Sequence, residues 1–198
     1  MKCNSLTHKI ILATLITVSA SPCYAVGLGF SFGAGSEEWE QQRVNIGDRD
    51  VRNVGFVVDT AVARDKIFNY RFSFLKEENN AADSGKLDME GYAMVHDFGF
   101  AVLQTKNIRL WLGPQLKTAY YKDVYVSSTN TSVATNVAGY GFGPVFGVNV
   151  HLPQVVSFSF TAAYHFISHY SDSSVYDDLN TDSSGLHFNA ALLFRFHE

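Results

Sequence analysis

Aromatic and glycine positions along this chain fall into opposite phases. All 16 Phe occupy even positions, from Phe30 to Phe196, and all 15 Gly occupy odd positions, from Gly27 to Gly185. A β-strand turns successive side chains to opposite faces, so one parity marks one face. A helix, with its period of 3.6, cannot hold a single parity along a chain. The pattern predicts eight strands, over about 26–38, 52–63, 67–76, 87–103, 108–122, 136–152, 155–169 and 185–196. Each is long enough to cross a bilayer at a tilt, which takes about 9–11 residues.

The connections alternate in length. After the second, fourth and sixth strands they are short: Arg64-Asp65-Lys66, Gln104 to Asn107, and Pro153-Gln154. After the odd-numbered strands they read as long polar loops, such as Tyr125 to Thr135 and Tyr170 to Ser184. An even strand count with short turns at one end and long loops at the other predicts an all-β fold. Its form is an eight-stranded antiparallel up-and-down transmembrane barrel.

Soluble barrels also have eight strands, so the facing needs an argument. On the last strand the even face is Leu186, Phe188, Ala190, Leu192, Phe194 and Phe196. Its odd face is His187, Asn189, Ala191, Leu193, Arg195 and His197. The odd face elsewhere carries Gly27, Gly29, Gly33 and Gly35, then Gly139, Gly141, Gly143 and Gly147. A water-facing strand favours Thr, Lys and Glu over Gly, whereas a narrow eight-stranded lumen needs small residues. Phe and Leu from every strand would overfill that lumen. The even face is therefore predicted to meet lipid. Tyr70, Tyr92, Tyr120, Tyr140 and Tyr164, also even, suit an interfacial girdle.

The first 25 residues differ from the rest. Lys2 and Lys9 precede the apolar run Ile10 to Val18, and Cys23-Tyr24-Ala25 offers small residues at a cleavage site. This is the layout of a secretory signal peptide, with an apolar run too short to span a bilayer. Cleavage leaves residues 26–198 as the barrel, without either cysteine, and takes the formal charge from −4 to −6 by removing Lys2 and Lys9. That acidity excludes a phosphate-tracking nucleic-acid binder. Export without disulfides fits a bacterial envelope protein.

Odd polar positions point into the predicted lumen. Asp59, Arg71, Asp97, Arg109 and Arg195, with Asn149, form a lower set of mixed charge. Buried charges persist only when paired and hydrogen-bonded, so ion pairs across a closed interior are expected rather than an aqueous pore. Glu37, Lys117, Tyr121, Asp123, His165, His169 and His187 form an upper set. Its histidines and carboxylates suggest metal ligands by type, but no ligand spacing is present, and a hydrogen-bonded cluster without metal or other cofactor is the expectation. His96 is anomalous, because parity turns it outward in mid-strand. Either a β-bulge turns it inward beside Asp97 or it acts at the lipid boundary, and the shifted alternation upstream, at Leu87 to Glu90, favours a bulge or the barrel rim.

With these residues in hand, the chain resembles the small eight-stranded outer-membrane barrels, the superfamily of OmpX, OmpW and the OmpA transmembrane domain. The resemblance covers 26–198 and includes the closing strand Leu186 to Phe196. It implies residence in the bacterial outer membrane among lipid and lipopolysaccharide, and it does not imply one activity. Two classes of function follow. In the first the barrel is not an enzyme and acts through its outer loops, in surface interaction or envelope integrity. The loop acids Glu77, Glu78, Asp172, Asp177, Asp178 and Asp182 would contact a host or neighbouring protein, or bridge to lipopolysaccharide phosphates through divalent cations. In the second the barrel is lipid-active. His169-Tyr170-Ser171 resembles the His-x-Ser pair of the lipid A deacylase barrels, which would make Ser171 the nucleophile and His169 its base. Against that reading, the last strand offers His187 where that family has its acid. An OmpW-like conduit for small apolar molecules is the other lipid-active form. The expectation is the first class, with no catalytic residue.

Overall fold

The computed structural model describes residues 26–41, 44–60, 67–81, 88–128, 131–152, 155–171 and 181–196. Within these, the side chains of 41, 44–46, 123–128, 131–135 and 171 lie outside the description. The predicted signal segment, and with it the division at residue 25, also lies outside it.

Eight antiparallel strands close into one barrel in chain order. They are β1 (Val26–Gln41), β2 (Val44–Asp59), β3 (Phe68–Ala81), β4 (Met89–Gln104), β5 (Ile108–Ser128), β6 (Thr131–His151), β7 (Val156–Ser171) and β8 (Thr181–Phe196). The first strand zips onto the last from Val26↔Phe196 to Glu40↔Asp182, which leaves no open edge in the wall.

The parity carries through the wall. Phe32 and Phe142, on the outside, are each 63% exposed, while Trp111 and Leu193, on the inside, are 0% exposed. A closed barrel with an outward apolar band and an inward polar core is the arrangement a bilayer requires. The inward glycines make room for the few large side chains of the lumen. A Cβ on Gly147 would sit 2.1 Å from the Trp111 indole, so the indole fills the space that a side chain there would need. Gly47 serves differently: its φ of 128° accommodates the register shift at the outer end of β1–β2, where Trp39 faces Gly47 but Glu40 faces Asn45.

Three sequence expectations are corrected. Residues 44–51, expected in a long loop, continue β2 and pair with β1 from Gln41↔Val44 onward. The expected loop Tyr125 to Thr135 is largely ladder, with pairs from Val124↔Thr135 to Ser128↔Thr131. These segments are polar and read as loops by composition, yet they keep strand pairing beyond the length a bilayer needs. At 21 residues each and ~3.3 Å per residue, β5 and β6 outreach the hydrocarbon core and carry the wall outward as a ribbon. Finally, no bulge turns His96 inward. The β3–β4 ladder is regular through Phe72↔His96, and the shift in β4 lies between Ala101 and Leu103.

Candidate functional site

The lumen is a stack of polar layers that run from the short-turn end to the outer end. At the lower end Arg109 donates to the Ile67 carbonyl at 3.1 Å, and Arg195 donates to the Leu152 carbonyl at 2.9 Å. Both guanidinium groups sit against the turns and close the barrel there. Above them Arg71 forms a buried ion pair with Asp59, its Nε 2.8 Å from Oδ2. The same guanidinium reaches Asn149 and Ser159 and lies over the Trp111 ring, 5.3 Å from its centroid. One arginine on β3 thus ties β2, β5, β6 and β7 together. Asp97 accepts from the Gln115 side-chain amide, and His165 Nε2 donates to Gln115 Oε1, so an amide links the lower acid to the upper histidines.

The upper layer centres on Glu37. Trp39 Nε1 donates to its Oε2 at 3.0 Å, and Asn79 and Ser183 donate to the same oxygen at 3.2 and 3.3 Å. His187 Nε2 lies 3.1 Å and Lys117 Nζ 3.7 Å from its Oε1. Lys117 is also paired with Glu77 at 2.9 Å, and Tyr121 donates to Glu77. Arg49, bonded to Asn79, lies over Trp39 at 4.8 Å. Two carboxylates, Glu37 and Glu77, are thus balanced by two permanent cations, Lys117 and Arg49, all of them buried. Such a set is tolerable inside a low-dielectric lumen because each carboxylate meets a cation or a donor, and each cation a carboxylate or an acceptor.

Glu77 is a correction. The sequence reading places it among the outer-loop acids, whereas it is 0% exposed and faces the lumen from β3. Asp182, also expected in a loop, stands on the outer wall of β8, where Ser168 donates to it at 2.7 Å. Arg49, Asn79 and Trp39 were not anticipated. Arg49 and Asn79 fall in segments that read as loop, although their odd parity continues the inward phase. Asp123 and Ser171 lie in β5 and β7 with side chains outside the description, and Asp172, Asp177 and Asp178 fall outside it altogether.

The histidines divide between two surroundings. His165 and His187 lie together, with ring centroids 4.6 Å apart. His169 stacks on Trp39 at 4.1 Å and is 1% exposed. Ser183 Oγ gives its hydrogen to Glu37, so His169 Nε2 donates to Ser183, at 2.9 Å. Among the described residues, no three His, Asp or Glu side chains converge as metal ligands. His96 stands on the outer wall, where its Nδ1 is 2.7 Å from the Tyr70 hydroxyl. That bond shields a polar ring in an apolar band, between Phe72 and Phe98 on the neighbouring ladder positions.

The interior leaves little space. The mid-barrel cavity, lined by Arg71, Asp97, Gln115, Lys117 and His165 among others, has a volume of ≈ 20 Å³. That is room for about one water molecule.

No family model matches the chain, and no curated sequence matches it. Solved structures do match in fold. Neisserial surface protein A superposes with a TM-score of 0.53 at 13% identity, over 85% of this chain and 97% of its own. The outer membrane protein OprG from Pseudomonas aeruginosa gives a TM-score of 0.53 at 10% identity, over 88% and 95%. Identity this low speaks for architecture and not for activity. In architecture, the chain is an eight-stranded, up-and-down β-barrel of the outer-membrane type.

Proposed function

We propose that this protein is a bacterial outer-membrane barrel that works from its outer surface, in surface interaction or envelope integrity, and neither catalyses a reaction nor passes solutes. The carrying observation is the filled lumen. Among the described residues, the mid-barrel cavity of ≈ 20 Å³ beneath a balanced charge layer is too small for a substrate. What remains available is the outside. β5 and β6 rise beyond the apolar band, and the sequence between β7 and β8 adds Asp172, Asp177 and Asp178. In this reading the chain is exported by its signal peptide, the aromatic band meets outer-membrane lipid, and the outer segments meet lipopolysaccharide or a protein partner.

The lipid A hydrolase alternative would need His169 as a base for Ser171. Its Nε2 is instead committed to Ser183 and its ring to Trp39. Replacing residues 124–135 by a short turn tests the proposal. The variant should still assemble as a heat-modifiable barrel and should show the same envelope or attachment defect as cells lacking the protein. A variant that behaves as wild type would refute the outer-surface role of this ribbon. Mass spectrometry of lipid A from cells with and without the protein should give identical acylation. Loss of an acyl chain that depends on Ser171 would establish the enzyme reading instead.

A further inference from the structure

The outer wall carries a groove that the lumen does not account for. It opens where β6, β7, β8 and β1 meet the upper margin of the apolar band and has a volume of ≈ 430 Å³. Its floor is Tyr140, Phe142 and Phe166, continuous with the lipid-facing surface, and the Phe142 and Phe166 rings lie 5.9 Å apart. Its rim is Glu38, Glu40 and Asp182.

Among the described residues, the charges of this rim lack the neighbouring bases that Glu78 and Glu90 have on the far side. On the far side of the barrel Glu78 and Glu90 also face each other, but bases stand beside both: Lys76 pairs with Glu90 and lies 3.9 Å from Glu78, Arg52 faces Glu78, and Glu90 faces Lys122. At the groove, Glu40 faces Asp182 directly across β1–β8, and Glu38 faces Asp48 across β1–β2. Like charges directly opposite one another destabilise a ladder. Among the described residues no base lines the groove. Hydroxyls hold the rim in place: Ser168 donates to Asp182 at 2.7 Å, and Tyr164 donates to Ser184 at 3.2 Å.

A site with an aromatic floor in the bilayer and a rim whose described charges are all acidic is complementary to one ligand class. A free cation would leave the floor unused, and an anionic amphiphile would be repelled by the rim. We propose that this groove binds a cationic amphiphile, with its alkyl chain along Phe142 and Phe166 and its ammonium head held by Glu38, Glu40 and Asp182. The ligand enters sideways from the outer leaflet. The site is independent of the role assigned to the β5–β6 ribbon.

The test uses the mature barrel, isotope-labelled, in zwitterionic lipid nanodiscs, with dodecylammonium as the probe. Amide shifts at Glu38, Ser168 and Asp182 should saturate with dodecylammonium and stay small with dodecyl sulfate. The triple variant E38Q/E40Q/D182N should weaken the dodecylammonium affinity at least ten-fold. E78Q/E90Q, which removes as many acids as a far-side control permits, should leave it unchanged. All substituted positions are on the outer wall, and heat-modifiable migration checks that each variant is folded. Equal affinity in the triple variant would overturn the proposal. So would equal binding of dodecyl sulfate, non-saturating shifts spread around the whole band, or saturable binding only of an anionic lipid with Mg²⁺.

Discussion

Lys117→Met isolates what one buried cation does for this barrel. Lys117 is 2% exposed and stands 2.9 Å from Glu77 and 3.7 Å from Glu37. At an effective dielectric of about 20, these attractions amount to about 6 and about 4.5 kcal/mol. Desolvation of the ammonium takes back several kcal/mol, so the expected net cost of removal is about 3–5 kcal/mol, as for other broken buried pairs. The upper end applies here, because two carboxylates lose a common partner. Met keeps the length of the side chain, which limits any cavity contribution. Urea unfolding from lipid bilayers, followed by the fluorescence of Trp39 and Trp111, measures the change. The double variant K117M/E77Q removes one stranded carboxylate and should recover about 2 kcal/mol of the loss. A K117M barrel within about 1 kcal/mol of wild type would contradict this role for Lys117, and so would a double variant no better than the single one.

Other expected outcomes follow from the same geometry. Phe160→Arg, at an outward position 46% exposed, should cost about 2–4 kcal/mol if Phe160 sits near the midplane; Thr161→Ser, one residue along and facing inward, should be nearly silent in the same unfolding assay. Arg71→Glu places an acid beside Asp59 and removes the donor to Asn149 and Ser159, so its loss of stability should exceed that of Lys76→Glu on the exposed wall. Gly147→Val drives a side chain into the Trp111 indole and should cost about 1–3 kcal/mol by overpacking, read as a lower urea midpoint with altered Trp111 emission.

Facing was legible because the alternation is strict and the lumen is narrow. Phe at even positions and Gly at odd positions leave one way to close eight strands. The lower charges were legible for the same reason: Arg71 and Asp59 share the odd parity and stand on adjacent strands. The outer ends were harder to read. Arg49, Glu77 and Asn79 sit in polar stretches whose composition is that of loops, and composition masked a parity that persists. For His96 the sequence leaves a bulge and an outward place both open, because it does not display the Tyr70 hydroxyl that satisfies an outward ring. The centring of five side chains on Glu37 depends on how β1, β3, β5 and β8 meet around the lumen. No spacing along the chain encodes that convergence.

Single-channel recording tests the closed interior directly. The purified mature protein, reconstituted in planar bilayers, should give no steady large conductance, because a cavity of ≈ 20 Å³ under paired charges offers no continuous water path. A stable ohmic channel that recurs with each insertion event, and that grows when Lys117 or Arg71 is replaced by Gly, would contradict it.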